Sequence, residues 1–545
     1  MFSVFTFTRA PLALISCLVV SQFSYAIVDM RNANFSESFN VLEIPGSGYD
    51  LRLKASYQSR SLHNGLIGFG WCTDFETKLE HLAEGAKKIT ECGAGLEIIF
   101  KPANFSKKNA DKLKAAILAA EKKSGNKNLK QLTKDLDDND ELRQTLAQKH
   151  KLKFQTPAST IYLAEGSVAD RLELRGKTYI RTYSDGTFQK FDLEGNVIGV
   201  SDRLGNHLKY EYKGSKLVSV VDNNGRKLTF SYSAANNKVE KITGPEKTAA
   251  YFSYKGFDLT EIVAADKETY KFEYDSLHNM IKMTFKDGSK KQIKYDSNRD
   301  WVTGFVDANG CAESYDYEFS KKDPENHYWA NVEKKCQGKV TNKSRYEFKY
   351  EKRPDGLGFY LAHLKMKINE ENTEIDYHPN FGKPQKIVRN GKPTLFKYDK
   401  LGLVEEKIEG KDSIRFEYDP KHRKIARVIE GKDWTTFKYD RFGNPIHAKN
   451  SKGQEVSLAF GRSGKIERLV DQAKREVHIK YNKITGRPEY LERPGVGRIN
   501  LSYDSDGNVV QRTPAKEQES AALQITAALS SMIQVFAPSG MNLGL

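Results

Sequence analysis

Apolar and polar side chains alternate along most of this chain, in short runs separated by turn residues. The stretch FEYDSLHNM at 272–280 shows the pattern, since Phe272 and Tyr274 flank the charged Glu273 and Asp275 opens a polar turn. Residues two apart share one face of a strand, so two large side chains face one side of a sheet while the charged one faces the other. The pattern predicts short amphipathic β-strands rather than helices.

The same arrangement, an apolar residue followed two positions later by an aromatic one, recurs at a period of about 21 residues. The predicted core aromatics are Tyr212, Tyr232, Tyr254, Tyr274, Tyr295, Tyr317, Tyr398, Tyr418, Tyr439, Phe460, Tyr481 and Tyr503. The spacing lengthens around Tyr350 and Tyr377. The clearest turn residues, where a glycine with positive φ can reverse the chain, are Asp440, Gly443 and Asn444, and Asp504, Gly507 and Asn508. One repeat is therefore a two-stranded hairpin.

A single hairpin of this size is not stable in water, but stacked hairpins bury a continuous apolar face and pair their open edges. Sheets twist with a fixed hand, so an array this long should curl on itself. We therefore predict an all-β fold of antiparallel β-hairpin repeats that spiral into a curled or cocoon-like sheet. The sequence leaves open whether the curl is a solid rod or a hollow shell.

The repeats resemble the YD repeats of the Rhs (rearrangement hotspot) family, whose consensus is Tyr-Asp-x-x-Gly-Asn. Tyr439-Asp440 and Tyr503-Asp504, each with its Gly-Asn, match best, and segment 49–80 is similar to the entry segment of that family. The resemblance implies strips of sheet that spiral into a cocoon, in some members around a toxic domain. About 40 residues follow Tyr503, which predicts a short member without a C-terminal toxin domain.

The pattern divides the chain into five predicted parts: a signal peptide at 1–26, an N-terminal β entry segment at 27–102, a charged helical insertion at 103–150, the YD-repeat array at 151–510 and an amphipathic tail at 511–545. The signal has a positive residue, a short apolar run and a small-x-small site that places cleavage after Ala26. Lipidation at Cys17 is the lesser alternative. We expect an exported protein of the bacterial periplasm, outer surface or medium.

In the insertion and the tail, the spacing of apolar residues changes from a period of two, typical of strands, to a period of about 3.6, typical of helices. Leu113, Ile117 and Ala120 share one face of a helix, and the insertion is expected to be a charged helical hairpin. Apolar residues of the tail, including Ile525, Leu529 and Met532, form a helical stripe that could cap the last hairpin, fill the lumen or bind a partner.

Export changes how the cysteines are interpreted, because disulfides persist in an oxidising compartment. Removal of the signal leaves Cys72, Cys92, Cys311 and Cys336. We favour the local pairs Cys72–Cys92 and Cys311–Cys336 among three connectivities, with free buried thiols as the alternative. The spacing expected of a zinc site, such as Cys-x-x-Cys, is absent from the sequence.

The formal net charge of +16 favours anionic partners. Anionic glycans or an envelope surface are the expected partners, and nucleic acid is not expected. The alternative is a basic surface that only keeps the protein soluble.

We find no Gly-x-Ser-x-Gly or His-Glu-x-x-His motif in the sequence, and predict no enzymatic activity, no metal and no cofactor. The expected function is a surface binding or adhesion module for glycans or other cells; the alternative is a partial shell or scaffold that encloses or escorts a separate protein. An integral membrane protein is not expected.

Overall fold

The computed structural model describes residues 27–536 apart from 83–84, 93–96, 104–106, 153–159, 165–166, 184–185, 203–204, 355, 357, 462–463, 504–508 and 511–515. Antiparallel strands make up most of these residues, so the all-β prediction is confirmed. The predicted signal segment, with Cys17 and Ala26, lies outside the described residues. So do the predicted turn residues Asp504, Gly507 and Asn508.

The first six strands form a small separate unit. They are β1 (Ile27–Asp29), β2 (Asn34–Ile44), β3 (Leu51–Gln58), β4 (Asn64–Gly65), β5 (Gly68–Phe69) and β6 (Trp71–Thr73). β1, β2, β3 and β6 pair in that order as a four-stranded sheet, and β4 pairs with β5. Alternate residues of β3, from Leu51 to Tyr57, are buried, as a strand with one covered face requires. We call β1 to β6 the plug sheet.

Most of the remaining described β structure is one continuous antiparallel sheet of 35 strands. Its first strands are β7 (Lys78–His81), β8 (Lys87–Thr90), β9 (Glu97–Pro102), β10 (Ile161–Ala164), β11 (Ser167–Arg175), β12 (Thr178–Thr182), β13 (Phe188–Phe191) and β14 (Val197–Ser201). A bridge between Lys78 and Asn196 brings β7 back against the turn before β14. There Gly195 (φ +82°) lies so close to the Leu79 carbonyl that a Cβ atom would stand 1.8 Å from its oxygen. Glycine is therefore required where the first curl closes.

The next strands follow the regular repeat. They are β15 (His207–Lys213), β16 (Lys216–Asp222), β17 (Lys227–Tyr232), β18 (Val239–Thr243), β19 (Ala249–Lys255), β20 (Asp258–Val263), β21 (Thr269–Tyr274), β22 (Met280–Phe285), β23 (Lys290–Tyr295), β24 (Val302–Val306) and β25 (Ala312–Phe319). A 3₁₀ turn at Pro245–Lys247 joins β18 to β19. Each strand pairs with its sequence neighbours, as stacked hairpins should.

Four longer or irregular strands then interrupt the period: β26 (His327–Cys336), β27 (Lys339–Lys352), β28 (Phe359–Ile368) and β29 (Glu371–Tyr377). β27 has 14 residues, against six in most repeat strands. The wider spacing around Tyr350 and Tyr377 therefore reflects longer hairpins within the same sheet.

The regular repeat resumes to the end of the sheet. Its strands are β30 (Pro384–Arg389), β31 (Lys392–Tyr398), β32 (Val404–Glu409), β33 (Asp412–Tyr418), β34 (Ile425–Glu430), β35 (Asp433–Tyr439), β36 (Pro445–Asn450), β37 (Glu455–Phe460), β38 (Ile466–Asp471), β39 (Glu476–Tyr481), β40 (Pro488–Arg493) and β41 (Gly497–Asn500). A short pair, β42 (Ser502–Tyr503) and β43 (Val509–Val510), follows. The long sheet as a whole is not closed.

The described part of the chain also holds four α-helices: α1 (Lys107–Lys123), α2 (Leu129–Asp138), α3 (Asp140–Lys149) and α4 (Lys516–Phe536). The insertion thus has three helices rather than the expected two. Asn139 separates α2 from α3, because its side chain accepts a hydrogen bond from the Leu142 amide and caps the N-terminus of α3. The insertion also contacts the β27–β28 turn, where Lys352 Nζ lies 2.6 Å from Asp138.

Candidate functional site

The predicted core aromatics are partly rather than fully buried, and they form a ladder of hydrogen bonds along the inner face, meaning the face that carries these rings. The hydroxyl of each tyrosine donates to a backbone carbonyl 14 or 15 residues earlier; Tyr439 reaches Ile425 at 2.6 Å and Tyr481 reaches Ile466 at 2.8 Å. The donors are Tyr212, Tyr232, Tyr254, Tyr274, Tyr295, Tyr317, Tyr398, Tyr418, Tyr439, Tyr481 and Tyr503. Phe460 occupies the same position without a hydroxyl.

A break in strand register lies immediately before the aromatic residue, as at Lys438/Tyr439 and Lys480/Tyr481. Such an irregularity frees backbone groups from the strand pairing. The carbonyl of the residue paired with one aromatic, Ile466 opposite Phe460, accepts the next hydroxyl, from Tyr481. The tyrosines therefore fasten each hairpin to the next.

The aspartate that follows the aromatic residue organises the turn. Asp440 Oδ1 accepts the amides of Phe442 at 2.8 Å and Asn444 at 2.9 Å, and its Oδ2 accepts the Asn444 side chain at 2.9 Å. Gly443 has φ +77°. The carboxylate oxygens are thus engaged within the turn. In the described residues no cluster of three or more His, Cys, Asp or Glu could hold a metal ion.

The plug sheet packs on the inner face of β15 to β25. Trp71 Nε1 donates to the Tyr274 hydroxyl at 2.9 Å, and its ring centroid lies 4.9 Å from that of Phe272. The Met280 amide donates to the buried Tyr57 hydroxyl at 2.8 Å. Plug and array share one apolar core, so this part of the curl is filled rather than hollow.

Charged groups fix the plug at its edges. Arg226 pairs with Asp222 at 2.8 Å and also donates to the carbonyls of Pro45 and Tyr49. The almost fully buried Glu37 pairs with Lys291 at 2.7 Å. Because a buried charge is costly without a partner, these contacts specify where the plug sits.

Helix α4 covers the inner face at the other end of the array. Ile525, Leu529 and Met532 are buried against an apolar cluster that includes Leu458 and Ile479. The predicted apolar stripe thus caps the last hairpins. Val535, which was not predicted, is buried there as well.

A strip of the inner face between plug and α4 is less well covered. The first apolar residue of each repeat is buried beneath the plug, as at Phe272, and beneath α4, as at Leu458. Along the strip, Ile375, Phe396 and Phe437 are only partly buried, whereas Phe416 is buried. Phe437 packs against both the cluster under α4 and the next cluster, around Phe416. The inner apolar face is therefore continuous from the capped end into the strip. We call the inner face of β29 to β35 the open strip.

Both favoured cysteine pairs are formed. Cys72–Cys92 has Cα atoms 5.1 Å apart and links the plug sheet to the segment after β8. Cys311–Cys336 has Cα atoms 4.3 Å apart and joins the start of β25 to the end of β26.

Burial sets the ionisation of the tyrosine ladder. Desolvation raises the pKa of Tyr418 and Tyr439 to about 12, with a smaller contribution at each from a nearby aspartate. The hydroxyls therefore stay protonated donors across the physiological pH range.

No helix among the described residues is long and apolar enough to cross a membrane.

No protein-family model and no curated protein matches the sequence. Among solved structures, the chain is similar to the crystal structure of TcdB2-TccC3-TEV, with TM-score 0.41 and 9% identity over 93% of this chain and 29% of that chain. The Photorhabdus luminescens Tc holotoxin pore gives TM-score 0.36 and 10% identity over 89% and 28%. A porin-like protein from Bacteroides uniformis gives 0.16 and 12% over 47% and 95%.

The chain thus spans less than a third of the length of either Tc chain. Each of these likenesses has a TM-score below 0.5, and none bears on activity. The Rhs resemblance therefore stays a prediction.

Proposed function

We propose that this chain is a non-enzymatic scaffold, exported to an oxidising compartment, that holds a partner polypeptide on the inner face of its curled sheet. The observation that carries the proposal is that this face already binds two segments of its own chain, the plug sheet and α4. The open strip between them offers the same alternation of apolar rings with fewer covering atoms.

The expected occupant is an amphipathic helix of a partner protein. The adjoining part of the face accommodates α4 through Ile525 and Met532, and Phe437 connects the two regions. Apolar burial would supply the affinity, since partly exposed apolar side chains gain about 25 cal/mol per Å² when covered. Two disulfides suit a protein that acts outside the reducing cytosol.

Site-specific photocrosslinking in the native host tests this function. One crosslinker replaces Phe396, whose side chain lies on the inner face, and a matched one replaces the exposed Lys397 beside it. The proposal expects Phe396 to capture one discrete polypeptide in high yield, through an amphipathic helical segment, and Lys397 to capture none. Equal capture from both positions, or none from Phe396, would contradict it.

The other candidate function, binding of anionic glycans at a cell surface, is favoured by a different observation. The net positive charge of the array is concentrated in a few turns at one edge of the long sheet.

A further inference from the structure

The turns that follow the ladder aromatics lie along one edge of the long sheet, because every second strand of an antiparallel sheet runs the same way. The first seven lie at 214–215, 233–238, 256–257, 275–279, 296–301, 320–326 and 353–358. Their sequences hold five Lys or Arg and six Asp or Glu. The acidic and basic residues of these turns nearly balance.

The next six turns on that edge differ sharply. They lie at 378–383, 399–403, 419–424, 440–444, 461–465 and 482–487. Their sequences hold ten Lys or Arg and three Asp or Glu, an excess of seven positive charges in a chain whose net charge is +16. We call these six turns the basic rim.

Lysines join neighbouring turns of the rim in pairs. Lys383 Nζ donates to the Gly402 carbonyl and Lys424 Nζ to the Gly443 carbonyl, each at 2.9 Å, and Lys465 Nζ donates to the Gly486 carbonyl. A carbonyl carries no formal charge, so these contacts order the turns without cancelling the positive charge.

One rim cation, Arg487, pairs with Glu43 of the plug sheet at 3.6 Å, and the aspartates of the rim mainly hold their own turns. Asp399 and Asp419 accept amides of their own turns, as Asp440 does. Lys400, Lys421, Arg441 and Lys483 are exposed, and none of the four forms an ion pair within the described part of the chain. The rim therefore presents a row of available cations to solvent.

Aromatic rings lie among these cations. Phe381 stacks on His378 with ring centroids 4.4 Å apart, and the Arg441 guanidinium lies 4.5 Å from the centre of the Phe442 ring. Successive turns are two strands apart, roughly 10 Å along the edge. The rim thus combines a regular, sparse row of positive charge with flat apolar surfaces.

We propose that the basic rim binds an acidic polysaccharide, a linear chain of sugars that carries a carboxylate, sulfate or phosphate at intervals. Duplex DNA presents a charge about every 1.7 Å, far more densely than the rim does. An extended polysaccharide with one carboxylate on each sugar presents its charges much more sparsely than DNA, so alternate carboxylates can meet successive turns, and sugar faces pack on aromatic rings. The inference concerns an edge of the sheet, so it is independent of whether the open strip holds a polypeptide.

The test compares two variants of the whole exported chain. The rim variant replaces Lys400, Lys421, Arg441 and Lys483 by Gln. The control variant replaces Lys411, Lys432, Lys452 and Lys474 by Gln, which are exposed in turns at the opposite edge of the same strands. Both lose four charges, so a difference between them reports position and not net charge. Thermal melts confirm that both fold.

Binding to polygalacturonate is measured at graded salt, with neutral dextran, duplex DNA and phosphatidylglycerol vesicles as alternative probes. We expect the rim variant to lose affinity for polygalacturonate by about tenfold or more, as four lost ionic contacts would predict, and the control to stay within about twofold. Equal losses in the two variants would overturn the proposal. So would failure of polygalacturonate to bind at low salt, or tighter rim-dependent binding of DNA or vesicles.

Discussion

At the residue scale, the Tyr-Asp pair divides its work between two neighbouring contacts. Tyr439 fastens its hairpin to the preceding one through the Ile425 carbonyl, while Asp440 holds the following turn through backbone amides. Two adjacent side chains thus satisfy backbone groups of two different hairpins, which explains why the pair recurs as a unit.

Replacement of Tyr439 by Phe should lower the free energy of unfolding by about 1 kcal/mol, because the ring stays and only the hydrogen bond to Ile425 is lost. Chemical denaturation measures the change. Phe460 offers the reverse experiment, since its ring occupies the same position in its own repeat; Phe460→Tyr should cost less than about 0.5 kcal/mol or stabilise the protein. A loss above about 3 kcal/mol in Tyr439→Phe would mean that the hydroxyl has another role.

The ladder also predicts alkaline sensitivity. Burial raises the pKa of Tyr398, Tyr418 and Tyr439 to about 12, above the ordinary value near 10. The folded state thus holds these protons more tightly than the unfolded state. Their stabilising contribution is complete below pH 10 and is lost as pH rises through 12. Spectrophotometric titration of tyrosinate should show late ionisation in the folded protein, whereas a wild-type titration centred near pH 10 for all tyrosines would contradict the burial.

At the element scale, α4 acts as a cap because its apolar stripe matches the inner face of the last hairpins. Met532 is fully buried there and Leu523, on the same helix, is 65% exposed. The helix therefore contributes through one face only, as its sequence period predicted.

Met532→Ala should destabilise the protein by about 2–5 kcal/mol through the lost contacts and the cavity left behind. Leu523→Ala is the matched control and should change stability by less than about 0.5 kcal/mol. Denaturation followed by a probe in the last repeats would measure both. Similar effects of the two substitutions would show that α4 is not seated as described.

At the scale of the whole molecule, the array is a sheet whose inner face is covered unevenly. The plug covers Phe272 and its equivalents, α4 covers Leu458, and Ile375 and Phe396 are only partly buried. Local stability should follow this coverage, because few apolar contacts oppose opening in the open strip.

Amide hydrogen exchange measures that difference. Strands β21 to β24, beneath the plug, should exchange slowest, and β29 to β32 should exchange faster although their backbone pairing is equally regular. Uniform protection along the array in the isolated chain would contradict uneven coverage. Protection of the open strip that increases only in the presence of a partner would support the scaffold function.

The local spacing of apolar residues was sufficient to predict the strands, the ladder aromatics and the cap helix, because the periods of strands and helices depend only on residues close together in the sequence. The two disulfide pairs could also be predicted from the sequence, since each joins segments that are close in sequence. The signal peptide and the last turn, at Asp504, stay predictions.

Other features depend on residues far apart in the chain. The fit of Trp71 against Tyr274, the return of β7 to Asn196 and the partial exposure of Phe396 arise only when the sheet curls. The basic rim also depends on the topology. The sequence shows that Lys400, Arg441 and Lys483 are basic turn residues, but only the antiparallel pairing of the strands places their turns on one edge of the sheet. The sequence alone therefore determined the repeating unit, through local periodicity, whereas the accumulated twist and long-range packing decided which faces are filled, capped, open or charged.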